Sequence, residues 1–203
     1  MVSLINRNKI AKYFDECIVL YDVESGIKTI DHWVNKTEHL SGKFLDKDER
    51  NKFKGDMFEI FSEMFFNIFE ADNSVGVREY EPIQSDEDYG VDAIGINVNN
   101  NACAVQIKYR ANPLPECYIT YEDMSKTYSA AREYLNISLD NANTLYLFTT
   151  SGGVTISCDK VLRKKLRVIN RNIISGFIDN NCNFWLKVFN EVEKTFKELG
   201  AVV

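Results

Sequence analysis

Apolar residues recur along this chain with two periods, and the change from one to the other marks out the elements. From Lys54 to Phe69, KGDMFEIFSEMFFNIF, the residues Phe58, Phe61, Phe65 and Ile68 fall at helical intervals and predict a strong helix. Upstream, Ile10, Tyr13, Phe14, Cys17 and Ile18 share that spacing, and Ile30, Trp33 and Val34 supply a second apolar face. Ser25-Gly26 and Ser41-Gly42 interrupt the pattern, and the charged stretch from Asp46 to Arg50 resembles a linker or a helix start. Residues 1–50 are therefore expected to form a mostly helical segment.

The period then shortens to two. Val75 to Ile83 alternates as a strand, Gln84 to Asp88 reads as a polar loop, and Tyr89 to Arg110 reads as two short strands around an asparagine-rich turn. Asn112-Pro113-Leu114-Pro115 must be loop, because proline lacks the N–H that regular pairing needs. Thr120-x-x-Asp123 is a capping signal for a helix running to about Leu135. Thr144 to Thr150, TLYLFTT, has the short apolar run of a buried strand. After Ser151-Gly152-Gly153 the expectation is a basic helix over Asp159 to Ile169, a strand over Ile173 to Ile178, and an amphipathic helix from Phe184 to Leu199, stopped by Gly200. This order predicts an α/β fold, a central mixed sheet flanked by helices. The expected division is a helical cap over 1–50 and a second domain over 51–203.

The composition changes this picture only in places. At 203 residues, 45% hydrophobic and 27% charged, the chain suits one good-sized core with a small appendage. No apolar run approaches the ~18–20 residues a membrane span requires. The amino terminus, MVSLINRNKI, lacks the apolar core of a signal peptide. Five scattered cysteines without a CxxC pair argue against zinc and against a disulfide framework, and for a reducing, cytoplasmic setting. The two histidines, His32 and His39, read as surface or packing residues. The net charge of −6 is unevenly spread: Lys160 to Arg171, KVLRKKLRVINR, holds basic residues and no acid. That run reads either as a solvated helix face or as a surface where Arg163, Lys164 and Lys165 meet nucleic-acid phosphates.

The chemistry gathers on the two strands around the asparagine turn. Asp92, Gln106 and Lys108 are polar where their neighbours are apolar, and Gln106 and Lys108, two apart, share a face. With Asn99, Asn100 and Asn101 as a three-residue loop, Asp92 lies opposite Lys108 and diagonal to Gln106, all on one face. A two-residue loop would send Asp92 to the other side. A carboxylate and an amide oxygen can hold a hard cation such as Mg2+ or Mn2+, and a lysine beside them can stabilise charge growing on a phosphate. Tyr109 and Arg110, next along, can reach a phosphate backbone or serve as sheet-edge residues.

These residues resemble the PD-(D/E)xK nuclease superfamily, with Asp92 as the first acid and Gln106-Ile107-Lys108 standing for (D/E)xK. Val91 stands where the family has proline, and the QxK form is similar to the Mrr-like restriction endonuclease branch. The resemblance covers residues 54–203 and implies a restriction-endonuclease-like core, with a metal bound by Asp92, Gln106 and the Ile107 carbonyl. Gly55-x-x-Phe58-Glu59 is similar to that branch's first-helix motif, which implies that Glu59 approaches the metal. The implied function is metal-dependent hydrolysis of DNA phosphodiester bonds. The alternative is an inactive module of the same fold that binds nucleic acid or a partner protein. Self-association as a homodimer and membership of a larger ATP-driven machine are both compatible with the family, and no membrane partner is expected.

Overall fold

The computed structural model describes residues 2–83 and 90–200. The predicted polar loop at Gln84 to Asp88, with Tyr89 and the last three residues, lies outside them. In chain order the helices are α1 (Leu4–Lys12), α2 (Phe14–Tyr21), α3 (Ile30–Ser41) and α4 (Lys47–Ile68), followed by strands β1 (Val77–Pro82), β2 (Ala93–Asn97) and β3 (Ala102–Lys108). Then come α5 (Tyr121–Glu133), β4 (Leu145–Thr149), α6 (Ile156–Leu162), β5 (Leu166–Ile169), α7 (Arg171–Asp179) and α8 (Phe184–Glu198). The chain forms two compact units, one of residues 1–68 with 173–203 and one of residues 69–172. The boundary expected at residue 50 falls inside α4, and the carboxy-terminal helix joins the amino-terminal ones.

The helical unit is built around α4. Of the two readings of Asp46 to Arg50, linker or helix start, the second holds: the Asp46 carboxylate accepts the backbone N–H groups of Asp48 and Glu49 at 2.8 and 3.0 Å. That caps donors which a helix start leaves unpaired. Phe53, Met57, Phe58, Ile60, Phe61, Phe65 and Phe66 are all buried, so this helix is covered on most sides. Trp33 of α3, Phe177 of α7 and Phe184 and Trp185 of α8 pack their rings on Phe61 and Phe65 at centroid separations of 5.0–6.1 Å. Edge-on and tilted contacts of this kind add to the burial of the rings. Glu63 is buried in this unit, where its carboxylate accepts from Ser3 N (2.7 Å), Ser3 Oγ (3.0 Å) and Asn6 Nδ2 (2.7 Å). His32 and His39 are exposed on α3, as the pattern suggested.

The second unit is a five-stranded mixed sheet in the order β1-β2-β3-β4-β5. The first three strands are antiparallel, and β4 and β5 join parallel to β3. One face is covered by α5 and α6: Ala104, Leu145 and Leu147 pack with Met124, Ala130 and Ala131 of α5 and with Cys158 and Leu162 of α6. The capping box is present, the Thr120 hydroxyl accepting the Asp123 N–H and the Asp123 carboxylate accepting the Thr120 N–H. The five cysteines are all free thiols. In β1, the pairing with β2 slips by one residue between Arg78 and Glu81, and Glu79 takes φ +51° in the resulting bulge.

Two expected elements come out differently. Ile173 to Ile178 is part of helix α7, not a strand: Ile174 and Ile178 are both buried, the i, i+4 spacing of one helical face. The β-branched residues there are as compatible with a strand in isolation, and only packing decides. The basic run does not form one helix either. Thr155 caps a helix that starts three residues earlier than expected and ends at Leu162. Arg163, Lys164 and Lys165 form a turn, and Leu166–Ile169 becomes the edge strand β5, where Leu166 and Val168 pack on the α5 side of the sheet.

Candidate active site

The asparagine turn fixes where Asp92 falls. Asn97 is fully buried, and its Oδ1 accepts the backbone N–H groups of Asn99 (2.9 Å) and Asn101 (3.1 Å), while its Nδ2 donates to the Asn143 carbonyl at 2.8 Å. Asn97 is thereby held as the last residue before the turn. The loop is Val98-Asn99-Asn100, one residue earlier than expected, with Asn100 at φ +59° in the left-handed region that such a loop needs. Ala93 accordingly pairs with Val105 and Ile96 with Ala102. The register is offset by two from the expected one, so Asp92 lies across from Gln106 rather than Lys108. An offset of two keeps every side chain on its face, so the shared face is retained.

Asp92 is anchored at the mouth of β2. Its N–H donates to the Val105 carbonyl and its own carbonyl accepts from the Ile83 N–H, both at 3.0 Å. Its Oδ2 accepts the Ile107 backbone N–H at 2.6 Å and a short hydrogen bond from the Gln106 amide nitrogen. The same nitrogen lies 3.4 Å from the Ile107 carbonyl oxygen. One end of the Gln106 amide thus faces a carboxylate oxygen and a backbone carbonyl together. The other end faces α5: Gln106 Oε1 lies 2.5 Å from the Thr127 hydroxyl, which lies 2.5 Å from the Gly90 carbonyl. Gln106 is 2% exposed and Thr127 fully buried, while Asp92 is half-buried.

Gly90 makes this closeness possible. Its φ of +72° disfavours side chains, and a Cβ there would sit 2.7 Å from Lys126 Cβ. The backbone at position 90 can therefore lie this close to α5 only with glycine there.

Lys108 ends β3 on the face of Gln106, half-buried, and its ammonium makes no hydrogen bond or ion pair among the described residues. Its backbone carbonyl accepts from the Thr149 hydroxyl at 2.6 Å, which holds the strand end to β4. Tyr109 and Arg110 continue from it, both half-buried. Arg110 pairs with Asp123 of α5 at 3.2 Å, and its backbone N–H donates to Thr150 Oγ1 at 2.7 Å. Arg171 Nη1 donates to the Ala111 carbonyl at 3.0 Å, so a second guanidinium belongs to this end of the unit.

The structure brings Asp92, Gln106 and Ile107 into direct contact and sets Lys108, Tyr109 and Arg110 in line beyond them. Glu59 stands on α4 in the helical unit, where its carboxylate pairs with the Lys9 ammonium. Arg163, Lys164 and Lys165 precede β5, and Leu166 pairs with Leu145, which pairs with Ala104. They therefore lie toward the opposite end of the strands from Lys108, and Lys165 Nζ is within 3.2 Å of the Tyr128 hydroxyl. No cluster of three His, Cys, Asp or Glu side chains forms among the described residues. Thr127 carried no signal in the sequence, where a threonine inside a helix is ordinary.

No family model and no curated protein matches this chain. Among solved structures, a repair endonuclease from Pyrococcus abyssi aligns over 54% of this chain and 47% of its own, at 17% identity and a TM-score of 0.34. The alignment thus spans about half of that protein. At this level the likeness carries no argument about chemistry, which rests on the site itself. No helix among the described residues is long and apolar enough to cross a membrane.

Proposed function

We propose that this chain is a metal-dependent endonuclease acting on DNA, with its site at the mouth of β2 and β3. The observation that carries the reading is the meeting of the Asp92 carboxylate, the terminal amide of Gln106 and the Ile107 carbonyl around one point. A carboxylate, an amide oxygen and a backbone carbonyl are hard oxygen donors of the kind that Mg2+ and Mn2+ take. With the Gln106 oxygen turned toward Asp92, the three donors would hold such an ion. When bound, the ion supplies Lewis-acid polarisation of a phosphate oxygen and a more acidic water.

The protein's own groups do the rest. Asp92 supplies the charged ligand, held by its backbone bonds to Val105 and Ile83. Lys108, on the same face and without a competing anion among the described residues, is placed to offset the negative charge that builds on a phosphate under attack. Arg110, paired with Asp123, and Tyr109 line the strand end beside Lys108, where their donors can meet a phosphate backbone. Glutamine leaves the site one negative charge short of a two-carboxylate version, which lowers its affinity for the ion.

A second reading, a binding module without catalysis, is favoured by one feature. The Asp92 carboxylate is already satisfied on one oxygen by the Ile107 N–H and the Gln106 amide, and Glu59 is paired with Lys9. Incubation of supercoiled and linear duplex DNA with the protein and Mg2+ or Mn2+ decides between the two. Cleavage that disappears on chelation and in Asp92→Ala, purified alongside, is the expected result. Equal residual cleavage in wild type and Asp92→Ala means that the binding module is the better account.

A further inference from the structure

The hydrogen bonds around Gln106 hold too few protons. Thr127 Oγ1 lies 2.5 Å from the Gly90 carbonyl and 2.5 Å from Gln106 Oε1, and both are acceptors in this arrangement. A hydroxyl carries one proton, so it can donate to only one of them, and the other oxygen pair is left in repulsive contact. Thr127 and Gln106 are both buried, so the mismatch costs more than it would in water. Turning the Gln106 amide end for end removes it. The amide nitrogen then donates to Thr127 Oγ1, and the Thr127 hydroxyl is free to donate to the Gly90 carbonyl. The same turn, however, points Oε1 at Asp92 Oδ2 and toward the Ile107 carbonyl. Three oxygens facing one another repel unless a cation lies among them.

Each orientation therefore satisfies one end of the amide and frustrates the other, and a cation is what tips the choice. We infer that Thr127 is the positioning residue of the metal site: loading of the ion turns the Gln106 amide, and Thr127 holds it turned by accepting from its nitrogen while donating to Gly90. The inference rests on the metal-site reading above and adds to it a named residue and a defined rearrangement. It also gives a reason for the glutamine. A carboxylate has two acceptor ends and needs no turning, whereas an amide must be oriented, and a hydroxyl that can either donate or accept is the group able to serve both states.

The test uses Mn2+ binding to the whole chain, measured by calorimetry and by the paramagnetic resonance of the free ion. Thr127→Val removes the acceptor and should weaken Mn2+ binding by about 10-fold, the lower end of what outer-shell partners of metal ligands contribute. Thr127→Ser keeps the hydroxyl and should restore binding to within about 2-fold of wild type. A loss of fold alone would not discriminate between backgrounds, so the deciding measurement is a pair. In a Gln106→Glu background no amide needs turning, and Thr127→Val should then change Mn2+ affinity by no more than about 2-fold. In parallel, the Gln106 side-chain NH2 signals, followed with diamagnetic Mg2+, should gain cross-peaks to the Thr127 methyl group as the ion is added. Equal losses from Thr127→Val in both backgrounds, or cross-peaks unchanged by Mg2+, overturn the inference while leaving the metal site standing. Wild-type protein that binds no Mn2+ removes the metal site itself, and the role of Thr127 with it.

Discussion

Glu63 and Asp92 are two acids taken out of bulk water in the same chain, and they are held in opposite ways. Glu63, 3% exposed on α4, meets three donors, the Ser3 N–H, the Ser3 hydroxyl and the Asn6 amide. Its charge is spread over matched hydrogen bonds and has no further work, so it ties the start of the chain to the central helix. Asp92 sits at a strand mouth, half-buried, beside a glutamine whose amide has more acceptors than protons around it. Buried polar groups are normally matched, and on the proposed function a bound cation would complete the partial match here. On the proposed function, the contrast separates a carboxylate used for stability from one used for binding.

The contrast can be broken by exchanging the losses. The largest effect is expected for Asp92→Ala, which removes the only charged ligand among Asp92, Gln106 and Ile107. Metal-dependent cleavage should fall by about 1000-fold or more when assayed well below the melting temperature, since the variant also leaves the Ile107 N–H and the Gln106 amide without an acceptor. Lys108→Ala should cost about 100-fold in the cleavage rate, while Mn2+ affinity measured by calorimetry persists or rises slightly, because a cation near the ion is gone. Glu63→Ala should act on the other quantity. Stranding buried donors costs about 2 to 3 kcal/mol, read as a fall in melting temperature of about 4 to 12 °C, with Mn2+ affinity of the folded protein unaltered. An unstable Asp92→Ala paired with a stable Glu63→Ala would reverse the assignment of the two acids. The smallest effect is expected at the far end of the strands: joint replacement of Arg163, Lys164 and Lys165 by alanine should leave the cleavage rate, measured at low salt, within about 2-fold of wild type.

The parts of the site that were legible in the sequence depended on parity, and the parts that were not depended on packing. That Asp92 and Gln106 share a face follows from a count of residues through an odd-numbered turn, and it survives the two-residue offset in register. The offset itself is hidden, because nothing in the run Asn97 to Asn101, with its four asparagines, announces that Asn97 is buried and folds its side chain over the turn. The order of periodic segments carries the fold class, yet the patterns of Ile173 to Ile178 and of the basic run point to conformations they do not adopt, since short β-branched stretches are settled by what covers them. The family likeness points to Glu59, whereas its partner in the structure is Lys9, 50 residues away and invisible to local patterning. Thr127 lay beyond sequence reading altogether, its importance arising only when α5 is laid against Gly90 and β3.

The bulge at Glu79 bears on how the chain survives its own synthesis. Among the described residues β1 is an outer strand of the sheet, and such a strand offers unpaired peptide groups to any neighbouring chain. The slip between Arg78 and Glu81, the positive φ at Glu79 and the proline at its end, Pro82, bend this border out of line and remove a donor from it. A second sheet cannot be laid along it in register, so crowded, newly made copies have a poor template for stacking into fibrils. Straightening the border by deleting Glu79 should trade that resistance for a smoother strand, at the expense of solubility.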